Sequence, residues 1–272
     1  MNRTAVLAAF NEQVRQSTRP DGTGATFQAG SLVVRRLAVP GQGGSGVLWS
    51  RLDAGNADEV IAAEVKLFAG RGEEFEWKLY SYDEPGDLAA RLLAAGFVPE
   101  EPESLMVAVI AEIADALASA ELPAGVRLER ATDEAGVDLL IKVHELVFGQ
   151  DESELRASLL TQLASAPETT DLVVAMAGDE PVCAARTEFL PDTEFAGLWG
   201  GGTLPQWRRQ GIYRALVGYR ADLAAQRGYK YLTVDASDQS RPILERIGFE
   251  CLASTTPYRW SPAQAGRIAQ VP

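Results

Sequence analysis

Apolar positions recur with two different periods along this chain, and the clearest change of period falls in its second half. Residues 195–204 form a mostly apolar run suited to a strand. Beyond it, Ile212, Ala215, Leu216, Tyr219 and Leu223 follow the three-and-four spacing that lines one face of a helix. Gly228 stands where a helix stop belongs. Between the two lies a short loop with Pro205, Arg208, Arg209 and Gly211. The pattern predicts strand, loop, helix.

The same reading extends over the rest of the chain. Val6, Leu7, Phe10 and Val14 predict an amphipathic helix over 4–17, followed by a Gly/Thr/Pro-rich loop over 19–30. Strands are expected at 32–37, 47–52, 75–82 and 104–110. A glycine-rich turn over 40–46 separates the first two. Asn56 is placed to cap a helix reaching Phe68, and a short helix over 88–95 stops at Gly96. An Ala-rich helix over 111–120 leads to Pro123-Ala124-Gly125, the best candidate boundary. A second series then begins: a strand at 126–130, helices at 135–148 and 154–163, and strands at 171–177, 182–190 and 195–204. After the helix at 212 come a strand at 231–235, a helix at 241–246 and final strands over 251–260. The expected division is 1–110, a linker over 111–125, a second domain over 126–261, and a polar, frayed tail over 262–272.

The chain also repeats itself. Arg71-Gly72, a strand and Gly96-Phe97 parallel Arg227-Gly228, a strand and Gly248-Phe249. Each copy is preceded by a helix and a strand, so the first half reads as a degenerate version of the second.

Composition narrows the function. The 272 residues carry 25 basic and 38 acidic side chains, a net charge of −13. That argues against nucleic-acid or anionic-membrane binding and suits a cytoplasmic protein. No run of 18 apolar residues is present, and the first residues show no long apolar leader segment. Two cysteines, Cys183 and Cys251, and one histidine make a metal site improbable, so none is expected. His144, mid-helix beside Val143, receives no role.

Against this acidic background, Arg208, Arg209 and Arg214 crowd the end of a helix that already carries partial positive charge and unpaired N–H groups. A bound phosphate would make that arrangement favourable, with Gly211 allowing close backbone approach. An arginine-rich surface turn without a ligand fits equally well on physics alone. In the first half, Asp53, Asp58 and Glu59 occupy the corresponding stretch and would repel a phosphate.

Arg208-Arg209-Gln210-Gly211-Ile212-Tyr213 resembles the cofactor loop of the GNAT acetyltransferase superfamily, with Tyr213 where a small residue is usual. Gly248-Phe249 matches a second landmark of the family, while Ser237 stands where an Asn is usual and Leu244 where a Tyr is usual. The element order over Val126–Trp260 is the family's order, and the repeated halves resemble its tandem members, such as mycothiol synthase. The resemblance implies an α+β fold, with a mixed, mostly antiparallel sheet flanked by helices, and transfer of an acetyl group from acetyl-CoA to an amine. It implies that backbone groups near Thr203 and Leu204 meet the pantetheine arm. It further implies that Arg208, Arg209, Gln210, Gly211, Ile212, Tyr213 and Arg214 hold the pyrophosphate. Ser237 and Ser240 would touch the pantetheine or adenosine side, Ser240 serving equally as a helix N-cap. No carboxylate lies on 195–204, so Glu188 is the candidate base, with a solvated strand residue as its plain alternative, and Tyr258 is a remote candidate acid. A non-catalytic acyl-CoA sensor of the same fold is the rival reading.

Overall fold

The computed structural model describes residues 1–117 and 120–263. Helix α1 (Arg3–Phe10) is capped by the Asn2 side chain, which accepts from the Ala5 N–H, and runs into a wider turn over Asn11–Arg15. Three antiparallel strands follow, β1 (Thr26–Ala29), β2 (Val33–Leu37) and β3 (Gly46–Ser50). Then come α2 (Ala57–Arg71), β4 (Phe75–Tyr80), α3 (Leu88–Ala94), the two-residue β5 (Val98–Pro99), β6 (Glu103–Val109) and α4 (Ile110–Leu117). The second series is β7 (Val126–Arg130), α5 (Glu134–Phe148), α6 (Ser153–Ser165), β8 (Thr170–Ala177), β9 (Glu180–Phe189) and β10 (Phe195–Thr203). It closes with α7 (Ile212–Gln226), β11 (Tyr231–Ala236), α8 (Arg241–Ile247) and β12 (Glu250–Trp260).

Strand β1 lies inside the stretch expected to be a loop. Its side chains are nearly all exposed and it pairs only with β2, so it has no alternating face to betray it. Of the expected tail, 264–272 lies outside the described residues, as do 118–119 of the linker helix. Among the described residues no helix is long and apolar enough to cross a membrane.

The strands form one 12-stranded sheet in the order β1-β2-β3-β4-β12-β6-β11-β10-β9-β8-β7, with β5 beside β12. Only β3/β4 and β10/β11 pair in parallel, and each parallel step is bridged by a helix, α2 and α7 respectively. The two copies of the repeat therefore share strand–helix–strand geometry. Their last strands are exchanged. β6, from the first series, lies between β11 and β12, while β12, from the second, lies between β4 and β6. The cores follow that exchange. Met106, Ala108, Ile113 and Leu117 pack with Val217, Ala221 and Ala224 of α7. Tyr258 and Trp260 pack with Phe68, Phe75 and Trp77 of the first half. Lys78 of β4 pairs with Glu103 of β6 at 2.6 Å and with Asp235 of β11 at 3.1 Å, an ionic tie across the same seam.

A second tie anchors the N-terminal segment. Buried Arg15 meets both carboxylate oxygens of buried Asp83 at 2.8 Å, and its guanidinium lies 3.8 Å from the centre of the Tyr80 ring. The fork-to-fork geometry satisfies two donors at once, which is what makes a charge pair tolerable away from water.

Candidate functional site

Strands β10 and β11 pair only through Phe195–Tyr231, Ala196–Leu232 and Gly197–Thr233. Beyond that point β11 stays with β6 as far as Ala236–Ser104, and β10 stays with β9 as far as Thr203–Cys183. The two strands part, leaving the β11-facing edge of β10 without a strand partner. The cause is local. A bulge lies between Trp199 and Gly202, and Gly200 has φ +57°, a left-handed conformation that costs a side-chain-bearing residue about 1–2 kcal/mol. Space demands glycine as well. A methyl at Gly200 would run into the His144 ring of α5. One at Gly201 would come within 3.0 Å of the Tyr213 ring of α7, and one at Gly202 within 3.0 Å of Val147. The bulged strand is thus clamped between two helices.

The connection to α7 divides into a bonded part and an open part. The Leu204 N–H donates to the Val182 carbonyl at 2.9 Å, and the Leu204 carbonyl accepts from Trp207. Arg208 Nε donates to the Thr203 carbonyl at 3.0 Å, and the Thr203 hydroxyl faces Cys183 Sγ at 3.1 Å. Of the backbone groups expected at the pantetheine arm, the Leu204 N–H and the carbonyls of Thr203 and Leu204 are therefore engaged within the protein. Past Arg208 the picture reverses. The N–H groups of Arg209, Gln210, Gly211, Ile212, Tyr213 and Arg214 meet no acceptor among the described residues, and the first helical bond runs from Ala215 to Gly211. Arg209 (φ +61°) and Gly211 (φ +86°) are left-handed, the kind of backbone turn that forms anion-binding concavities. The first turn holds no acidic residue. The exposed Arg209 side chain has no partner among the described residues, whereas Arg214 reaches the Ala116 carbonyl at the end of α4 and Gln210 reaches Gln206 at 3.2 Å. Of the three arginines, only the Arg209 side chain makes no hydrogen bond among the described residues.

The first half shows the opposite arrangement at the same place. Before α2, one oxygen of Asp53 accepts from the N–H groups of Gly55 at 2.8 Å and Asn56 at 3.0 Å, so the chain supplies its own anion there.

Ser237 and Ser240 lie in the exposed turn after β11 and bond to each other, with hydroxyls 3.3 Å apart. Ser240 occupies the N-cap position of α8, but its hydroxyl turns back to the Ser237 carbonyl and makes no capping bond. Leu244 is wholly buried in the core under α4 and α7. Tyr258 belongs to the core of the first half, paired to Trp77, away from the opening. Glu188 sits opposite Gly197, at the root of the opening, with one oxygen 3.3 Å from Arg186 Nε.

One residue at this opening had drawn no role from the sequence. His144 is buried on α5, and its Nε2 lies 2.8 Å from the Gly200 carbonyl. A carbonyl only accepts, so Nε2 carries the proton. Burial, helped by the Arg186 charge, pushes the imidazole down to about 4, so it is neutral at pH 7. The signal was available: Val137, Leu140, Ile141 and His144 continue one buried helical stripe. Beside His144 a recess of about 300 Å³ opens on the α5/α6 side of the strand, lined also by Phe148, Leu155, Arg186 and Gly200. From the other face, buried Arg220 of α7 donates to the Leu216 carbonyl at 3.2 Å and reaches the Arg186 carbonyl at 3.5 Å. Cys183 is not a nucleophile here, because burial raises its thiol to about 11.

Comparison with known proteins agrees with this geometry. An acetyltransferase (GNAT) domain model matches residues 151–264. No curated protein sequence matches the chain. Among solved structures, a GCN5-related N-acetyltransferase from Kribbella flavida is similar over 96% of each chain, with TM-score 0.67 and 18% identity. A functionally unknown protein from Staphylococcus epidermidis is similar over 88% of this chain and 95% of that one, with TM-score 0.65 and 12% identity. A tandem GNAT protein from the clavulanic acid biosynthesis pathway is similar over 95% and 94%, with TM-score 0.62 and 13% identity. At these identities the likeness is one of fold, and it spans both halves.

Proposed function

We propose that the protein is an acyl-CoA-dependent N-acyltransferase, moving an acetyl group from acetyl-CoA to an amine, on the premise that residues 151–264 match an acetyltransferase (GNAT) domain model. One observation carries the reading: six consecutive N–H groups, Arg209 to Arg214, have no acceptor among the described residues and follow the strand that parts from β11. Such a cluster at a positive helix end suits a diphosphate. In this reading Arg209, Gln210, Gly211, Ile212, Tyr213 and Arg214 contribute backbone donors, and Arg209 adds its guanidinium. Arg208 acts indirectly, by holding the Thr203 carbonyl. Ser237 and Ser240 flank the far side of the opening. The donor group comes to lie along the unpaired edge of β10, where backbone N–H groups would polarise the thioester carbonyl.

The attacking amine must lose a proton. Glu188 is the proposed base, and its contact with Arg186 holds it on the α5/α6 face. With Leu244 buried where the family's Tyr stands, the thiolate leaves without a side-chain acid from that position. Only the second half would bind the donor, since Asp53 fills the equivalent place in the first. The domain roles follow: 126–261 carries the site, and 1–110 supports it and lends β6. A cytoplasmic location would provide the donor.

Titration calorimetry with coenzyme A tests the binding step. Arg209→Glu should weaken binding about 10–100-fold, from loss of charge-assisted contacts worth roughly 1.5–3 kcal/mol, while Glu188→Gln leaves it unchanged. Equal effects would overturn the loop assignment. Thiol release from acetyl-CoA across an amine panel then tests turnover. The buried Leu244 supports one rival, a binding protein without turnover, and that rival wins if coenzyme A binds but no amine releases thiol.

A further inference from the structure

The recess beside His144 has an unusual floor. Arg186 is mostly buried, its side chain 17% exposed, and it points into a space otherwise walled by Phe148, Leu155 and the His144–Gly200 pair. The one hydrogen bond of its side chain among the described residues is the 3.3 Å contact from Nε to Glu188. The two terminal nitrogens, the fork that matches a carboxylate, have no hydrogen-bond acceptor among those residues. The guanidinium carbon lies 5.7 Å from the Trp199 ring centre, close enough for the ring to steady the cation while leaving the fork open. Both terminal nitrogens stay within reach of solvent, so an anion entering the recess can replace water on the fork.

Three further features describe what would fit. Gly200 lines the recess and belongs to the bulge where β10 leaves β11, so an occupant lies next to the proposed reaction centre. Phe148 and Trp199 are 48% and 38% exposed, large apolar surfaces left at the lip. Glu152 also lines the space, and Gln150 Nε2 lies 3.4 Å from it. The volume, about 300 Å³, stands at the lower end of ligand pockets, enough for a small molecule.

We propose that the acceptor is a free amino acid with an apolar side chain, its carboxylate held by the Arg186 fork. This rests on the acyltransferase reading above and adds the acceptor class to it. A simple alkylamine would meet Glu152 and Glu188 but leave the Arg186 fork unfilled. An amino acid brings a carboxylate to that cation, an ammonium group toward Glu152 and Glu188, and an apolar side chain to the aromatic lip. Acyl transfer then balances as a substitution. The amine nitrogen bonds to the thioester carbonyl carbon and the carbon–sulfur bond breaks. Of the two protons lost by the original ammonium, one ends on the thiolate and the other goes through the base to water.

The test compares two amides differing only in the carboxylate, N-acetyl-L-phenylalanine and N-acetylphenethylamine, as product analogues whose binding needs no turnover. Calorimetry on the full chain should show the acid binding at least 10-fold tighter than the neutral amide. Arg186→Gln should abolish that gap and leave the affinity for the neutral amide and for coenzyme A unchanged. Arg186→Lys, which keeps the charge and loses the fork, should retain a smaller gap, and it serves if the Gln variant fails to fold. Equal binding of the two amides, a gap that survives Arg186→Gln, or no binding of either amide at millimolar concentration would overturn the proposal. Coenzyme A titrated into the same samples separates the two failures. If it binds normally while the carboxylate preference is missing, only the acceptor assignment falls.

Discussion

His144 Nε2 donates to the Gly200 carbonyl across 2.8 Å and thereby pins helix α5 to the bulge of β10. The donor is the Nε2 proton, which the ring carries in either charge state, while burial together with Arg186 holds the imidazole neutral at pH 7. Three elements therefore depend on one side chain: the helix, the bulge and the parting of β10 from β11.

The shift of His144 sets a pH dependence. The folded state holds the imidazole at about 4, below the 6.5 of an unperturbed histidine, so the unfolded chain binds the proton more readily between those values. Stability from this group is fully present above about pH 6.5 and is lost as pH falls toward 4. By pH 5 the loss amounts to about 2 kcal/mol. Urea denaturation of wild type and His144→Gln at pH 7 and pH 5 checks it. Wild type should lose about 2 kcal/mol more than the variant, and equal losses would refute the assignment.

Removing one partner of the Arg15–Asp83 pair leaves a buried charge uncompensated. Asp83→Ala should cost about 3–5 kcal/mol, seen as a large fall in the midpoint of chemical denaturation. A loss under about 1 kcal/mol would mean the pair behaves as a solvent-exposed one.

The strand exchange makes the halves interdependent. A fragment beginning at residue 126 lacks β6 and α4, and with them Met106, Ala108, Ile113 and Leu117 of its core. It should show no cooperative thermal transition alone and should regain one when co-expressed with 1–125. A fragment that melts cooperatively by itself would count against the exchange.

Native thiol chemistry offers a direct probe of the clamp around β10. Burial raises the Cys183 thiol to about 11, whereas Cys251 is partly exposed. An aromatic disulfide reagent should modify Cys251 alone in the native protein and both thiols in denaturant. Rapid native modification of Cys183 would show that the β9–β10 region opens readily.

Much of this architecture could be read from residue order because its signals are local. The strand–loop–helix around Arg209 announces itself through one change of period, and the Gly-Phe repeat survives as paired helix ends. Asp53 could likewise be named as hostile to phosphate from its sign and place, although its bonds to Gly55 and Asn56 could not. What escaped is non-local. Nothing in the periodicity of 103–109 says that β6 joins β11, since a buried strand reads the same beside any neighbour. Strand β1 escaped because its side chains are nearly all exposed. That the Leu204 N–H is taken by Val182 and the Thr203 carbonyl by Arg208 could not be read from the sequence, because both bonds come from tertiary placement. Whether Arg186 faces a recess or the solvent depends on two helices folded over it, and no window of sequence contains that.

Asp53 gives the duplicated halves opposite responses to a shared solution. The first helix end carries its counter-ion covalently and at fixed concentration, so adding diphosphates should leave α2 indifferent. In the proposed reading the second borrows its counter-ion from outside, so the order of α7 should track how much donor is present. A molecule built from one motif used twice thus owns an internal control: heat it with increasing coenzyme A, and protection from amide exchange should grow at Arg209–Arg214 while Gly55 and Asn56 stay as they were.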